Sequence, residues 1–156
     1  MARGSAAPSV ELEGLTETLK AFNGLQADLK KEANSELRTA AGSCADGLAR
    51  ALRAAASSSG VPVAPRVARS IKVKKDRIPV VSIGGKMKVG TGKRGAAAAL
   101  VWGSERGPAS EPNHFGVAAN SSGYWIAPTV AAFGEGPALQ TYQRAVVDIM
   151  KRYGLL

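Results

Sequence analysis

Between Leu15 and Ala55 apolar residues recur every three or four positions: Leu15, Leu19 and Phe22, then Leu25, Leu29, Ala33, Leu37, Ala40, Cys44, Leu48, Leu52 and Ala55. Charged residues fill the other face. A stripe of that period predicts a long amphipathic α-helix. Asn23-Gly24 marks a break in it, because a glycine after an asparagine suits a helix C-cap. The run SSSG at 57–60 ends the helix, and Pro62 and Pro65 are expected to keep it from resuming. Gly42 and Gly47 lie inside it, where each costs about 1 kcal/mol relative to alanine, so they are expected to mark close approach of another helix.

Elsewhere the period is two. VELEG at 10–14 predicts a short strand ended by Gly14. RSIKVKK puts Ser70, Lys72 and Lys74 on one face and Ile71 and Val73 on the other; IPVVSIGG and KMKVG follow, each ended by glycine, which predicts a three-stranded antiparallel meander over 69–94. The apolar run AAAALVWGSE at 96–105 fits either a helical turn or a further strand. Residues 103–123 have no period and are rich in glycine, proline and serine, so they read as a long loop or arm reaching a neighbour. In YWIAPTVAA, Pro128 suits the first position of a helix. After GEGP, the residues Leu139, Tyr142, Val146, Ile149, Met150 and Tyr153 predict a second amphipathic helix that stops at Gly154. The expected fold is α+β: one domain over 1–156, flexible over 1–9, with a small antiparallel sheet packed with a long N-terminal helix and a C-terminal helix.

Composition changes how that core should be pictured. Of the residues that make the chain 45% hydrophobic, 28 are alanine and only eight are aromatic. Alanine buries little area, so a thin core that completes its burial against further copies is expected. No apolar run reaches bilayer-spanning length and the first residues lack an apolar signal core, which predicts a soluble protein made in the cytoplasm, with no membrane partner. Cys44 is the single cysteine and sits on the helical stripe, so a small buried filler is expected rather than a reactive thiol.

The net charge of +9 is unevenly placed. Acids and bases balance over 1–65 and again over 95–156. The surplus falls in 66–94, where Arg66, Arg69, Lys72, Lys74, Lys75, Arg77, Lys86, Lys88, Lys93 and Arg94 face only Asp76. Such concentration is the footprint of a surface that meets a polyanion. Within it, GGKMKVGTGKRG at 84–95 suggests a phosphate-gripping loop. A P-loop, however, needs glycine five residues before its Gly-Lys pair and a hydroxyl just after the lysine, and Met87 and Arg94 hold those places. The loop then reads as a basic hairpin tip or a solvated turn.

His114 is the single histidine and has no partner for a zinc site or a triad, so a surface or interface contact is expected of it. No catalytic, cofactor or metal residue, and no cofactor, is expected, and the chain does not read as an enzyme. Trp102, Phe115, Tyr124 and Trp125 lie in apolar runs, which favours core or subunit-interface packing over base stacking.

The order of these pieces resembles the small neck, or head-tail joining, proteins of long-tailed bacteriophages. The resemblance rests on an apolar run ending in a glycine and a small hydroxyl residue (Val101, Trp102, Gly103, Ser104) and on an aromatic stretch with alanine and proline before the last helix (Tyr124, Trp125, Ile126, Ala127, Pro128). It implies a structural virion protein of the head-tail junction: a homo-oligomeric, hexameric ring, stacked between the connector or stopper and the tail terminator or tail tube, with genomic DNA passing through its lumen. Lys72, Lys74, Lys86, Lys88, Lys93 and Arg94 would then face DNA or an adjoining ring. Trp102, His114, Phe115, Tyr124 and Trp125 would lie at the subunit interface. A tail terminator capping the tail tube, and a free non-specific nucleic-acid-binding protein, are the alternatives.

Overall fold

The computed structural model describes residues 9–11, 15–74, 80–90, 95–108 and 115–156. In chain order they form β1 (Ser9–Glu11), α1 (Leu15–Ala21), a 3-10 turn (Phe22–Gly24), α2 (Ala27–Ser58), α3 (Ala64–Ala68), β2 (Lys72–Lys74), β3 (Val80–Ser82), α4 (Ala97–Arg106), α5 (Ile126–Gly134) and α6 (Pro137–Arg152). The fold is mostly helical, with a small antiparallel sheet and a long N-terminal helix. Among the described residues no helix is long and apolar enough to cross a membrane.

The 32 residues of α2 make it the spine, about 48 Å long at 1.5 Å per residue. Its buried positions include Ala33, Leu37, Ala41, Cys44, Leu48, Leu52 and Ala56, the three-to-four spacing of the sequence stripe. The break anticipated at Asn23-Gly24 is the 3-10 turn, closed by Leu25 N–H donating to the Phe22 carbonyl at 3.1 Å. At the far end the hydroxyls of Ser57 and Ser58 donate back to the Arg53 and Ala54 carbonyls, and Gly60, at φ 75°, turns the chain away. Pro62 and Pro65 do not keep helix from resuming. Pro65 sits in the first turn of α3, where its missing amide would have had no helical partner.

Two apolar clusters flank the spine. The C-terminal half of α2 packs against α3, the inner face of the sheet, α4 and α5, around Leu48, Leu52, Val67, Ile71, Val81, Ile83, Val101 and Trp125. Its N-terminal half packs against α6 and the 3-10 turn, around Phe22, Leu37, Cys44, Tyr142 and Ile149. Phe133, near the end of α5, touches both clusters. Its ring also lies over Gly47, but a Cβ there would sit 3.7 Å from it, an ordinary van der Waals contact, so the expected close approach does not require glycine at this position. Cys44 is buried, and burial pushes its thiol above the ordinary value, as befits a filler.

The sheet differs from the expected meander. β3 is central and antiparallel to both neighbours, in the order β1-β3-β2, with rows Ser9–Ser82–Lys72, Val10–Val81–Val73 and Glu11–Val80–Lys74. With β1 and β2 on its two edges, β3 has no edge left for KMKVG, and Gly84 and Gly85, at φ 109° and 90°, swing that segment off the sheet. Lys88 makes a single bridge with Ala96, and the Met87 carbonyl accepts the Ala97 amide at 2.8 Å, so 86–90 run beside the start of α4. The rest of the run 96–105, from Ala97 on, is helix.

Pro137 opens α6 at its first turn, and the helix closes with Leu155 N–H donating to Met150 C=O and Gly154 N–H to Lys151 C=O. Gly154 takes φ 69°; this pair of bonds is a Schellman motif, and it explains the stop read from the sequence. Arg152 and the Tyr153 hydroxyl both bind Glu36 on α2, at 2.6 and 3.1 Å, fastening the last turn to the spine.

Removing a buried leucine from this thin core leaves a cavity that alanine neighbours cannot fill. Leu37→Ala is expected to cost about 2–5 kcal/mol in urea denaturation, whereas Leu29→Ala, on the same stripe but left exposed in the first turn of the helix, should stay within about 0.5 kcal/mol. Equal losses would contradict the burial pattern.

Candidate functional site

Two regions gather the residues singled out by sequence. The first is the basic segment. Lys72 and Lys74 project from the exposed face of β2, opposite the face on which Val73 and Val81 pack toward α2. Arg66 and Arg69 are exposed on and just after α3, and Lys86 and Lys88 are exposed on the segment that leaves the sheet. Lys93, Arg94 and His114 lie outside the described residues. Arg53 joins this region from α2, its guanidinium donating to the Ile71 carbonyl at 3.0 Å where β2 begins. Along the chain Arg53 belongs to the charge-balanced N-terminal third, so only the fold brings it here.

The second region joins α4 to α5. Glu105 is 1% exposed. One of its oxygens accepts the amides of Trp125 at 3.0 Å and Ile126 at 2.7 Å; the other accepts that of Ala127 at 2.8 Å. These are the leading amides of α5, which has no side-chain cap of its own. The next residue is Pro128, which has no amide to satisfy. One carboxylate from another helix therefore satisfies every free donor at this helix start, and its charge also complements the helix dipole. Pro128 is the third residue of α5 rather than the first. Its fitness comes from the missing donor, one place beyond the reach of Glu105.

Neighbouring residues shape the same joint. Ser104, fully buried, donates to the Val101 carbonyl at 2.7 Å and accepts the Trp125 indole N–H at 3.3 Å. The Tyr124 amide donates to the Glu105 carbonyl at 2.7 Å. A Cβ on Gly103 would fall inside the Phe115 ring, and one on Gly123, at φ 87°, would collide with the Glu105 carboxylate. Both glycines are required by close approach.

The described part of the 103–123 segment does not extend away from the chain. Residues 103–106 are the last turn of α4. Beyond them Asn120 N–H donates to the Arg106 carbonyl at 2.7 Å and the Tyr124 hydroxyl to the Ala118 carbonyl at 2.9 Å, so 115–123 lie back against α4. These residues form a loop tied to the end of α4 through Asn120 and Arg106, and 109–114 lie outside the described residues. Trp125, at 1% exposure and with its indole N–H donating to Ser104, packs in the core, one of the two places expected for it. Phe115 and Tyr124 are half-buried. Trp102 is the aromatic with an open face, 47% exposed, and the Arg106 guanidinium lies 5.6 Å from its ring centroid.

Sequence reading missed Glu105. The available signal was a helix start, WIAP, without Ser, Thr, Asp or Asn at the cap, which requires a remote acceptor. Among the described residues no group of three His, Cys, Asp or Glu side chains is placed to hold a metal ion. An open polar groove runs along α2, lined by Lys31, Arg38, Thr39 and Asp46 among others. Comparison with protein-family models, curated proteins and solved structures finds no match to this chain.

The capping carboxylate generates a graded prediction. Glu105→Ala strands three amides in a dry site and is expected to cost about 3–5 kcal/mol, whereas Glu105→Gln keeps an acceptor oxygen and should cost about half as much. Chemical denaturation of the two variants checks the order; an alanine variant as stable as the parent would remove the joint's role.

Proposed function

We propose that this chain is a structural subunit of a bacteriophage neck, forming an oligomeric ring that joins the DNA-filled head to the tail and lets genomic DNA pass through its lumen. The observation that carries the reading is the segregation of the net charge into one stretch of the chain whose described basic side chains are exposed. Arg66, Arg69, Lys72, Lys74, Lys86 and Lys88 are all exposed on consecutive pieces of the chain, while the charge outside 66–94 balances. Phosphate attraction of this kind is independent of base sequence and is screened by salt, which suits a wall past which DNA must slide without being held.

Further support comes from the resemblance of the VWGS and YWIAP stretches to neck proteins and from the alanine-rich spine. In the fold those two stretches form the Glu105 joint, so the shared residues describe a structural device rather than a reaction site. The protein would sit in the virion at the head-tail junction, touching the connector or stopper on one side and the terminator or tail tube on the other. The tail-terminator role differs only in which ring it adjoins. A free nucleic-acid-binding protein is favoured by one separate observation, the exposed Trp102 ring beside Arg106, a pair suited to stacking on a base.

Replacing Lys86, Lys88, Lys93 and Arg94 together with serine separates these readings. Folding should be unchanged. The slope of log affinity for duplex DNA against log salt should become shallower by about one for each lysine or arginine that no longer neutralises a phosphate, and infectious titre should fall through failed assembly or DNA delivery. An unchanged titre would remove the loop from the function, and tight DNA binding by an unassembled parent protein at physiological salt would favour the free nucleic-acid-binding reading.

A further inference from the structure

The two outer strands of the sheet are parallel to one another, both being antiparallel to β3, and among the described residues neither outer edge is paired. Their chemistry is complementary. β2 carries Lys72 and Lys74 around Val73, and β1 carries Ser9, Val10 and Glu11. An open strand edge is a template for another strand, and lysines are a common means of blocking it. Here they block it selectively. Two β2 edges brought together about a two-fold axis at Val73 would set Lys72 opposite Lys74 twice, placing like charges directly across the ladder. Pairing two β1 edges would leave the lysine edge open.

We infer that the β2 edge of one copy pairs in parallel with the β1 edge of the next, so that the sheet continues from subunit to subunit around the assembly. This inference rests on the ring reading and specifies its contact. The observed register supports it row by row. Extending Glu11–Val80–Lys74 across the junction sets Lys74 beside Glu11 of the partner subunit. Extending Val10–Val81–Val73 sets Val73 beside Val10 of the partner subunit. Val73 is half-buried whereas its central neighbour Val81 is 2% exposed, so a strand added at this edge would cover apolar surface that the isolated sheet leaves open. One rotation that repeats the strand direction satisfies both rows. Such a contact uses two different surfaces, and therefore generates a ring when the rotation closes and a filament when it does not.

Charge reversal tests the junction, read by native mass spectrometry and sedimentation, with far-UV circular dichroism to check folding. Lys74→Glu sets glutamate against glutamate across the junction, and Glu11→Lys sets lysine against lysine. Each variant alone is expected to dissociate at concentrations at least tenfold above those at which the parent does. An equimolar mixture of the two should reassemble, because each supplies the edge the other lacks, and that recovery also shows that both remain folded. The variant carrying both changes should assemble on its own. A parent oligomer whose mass and dissociation are untouched by either single reversal would overturn the edge contact while leaving the ring intact. A mixture that fails to reassemble would overturn it too. A parent that stays monomeric throughout would overturn both the contact and the ring.

Discussion

The position of α5 depends on a single carboxylate shut away from water. Glu105 ends one helix and starts another: its two oxygens take the three free amides at the start of α5, and Pro128 removes the fourth. A buried charge is costly unless fully compensated, and here the compensation consists of charge-assisted bonds aligned with a helix dipole. Because α5 is held at this joint, Phe133 at its other end reaches Gly47 and touches both apolar clusters. Gly136 and Pro137 then launch α6 along the N-terminal half of α2, where Glu36 and the Schellman turn at Gly154 fix its end.

Local periodicity carried much of this fold into the sequence. The α2 stripe, its break at Asn23-Gly24, the two strands around Val73 and Val81, the burial of Cys44 and the stop at Gly154 each follow from residues within one or two turns of each other. Features set by distant partners were not legible. KMKVG has the alternation of a strand, but whether it pairs depends on β1, far earlier in the chain, having taken the free edge of β3. Pro65 reads as a helix breaker unless its place in a first turn is known. Glu105 looks like one acid among several, and its role appears only when α5, twenty residues on, is brought to it. Trp125 and Trp102 have similar apolar neighbours in sequence, yet one is core and the other surface, since only Trp125 faces Ser104 across the joint.

The same division explains why a thin core suffices. Alanines along α2 allow close packing, and a few large side chains, Phe22, Leu37, Leu52 and Trp125, fill the remaining space. The proposed function rests on what this scaffold leaves outside: a sheet whose two outer edges have no further strand partner among the described residues, and exposed basic side chains on α3, β2 and the segment after Gly85. Edges of opposite charge suit repeated association of identical subunits, and the basic surface suits non-specific contact with a polyanion running past them.

Whether the protein is a ring subunit around DNA is decided by electron microscopy of the purified chain without any partner. Class averages with rotational symmetry and a central opening wide enough to admit a DNA duplex are expected. Particles that remain monomeric or two-fold symmetric, with no lumen, would contradict it.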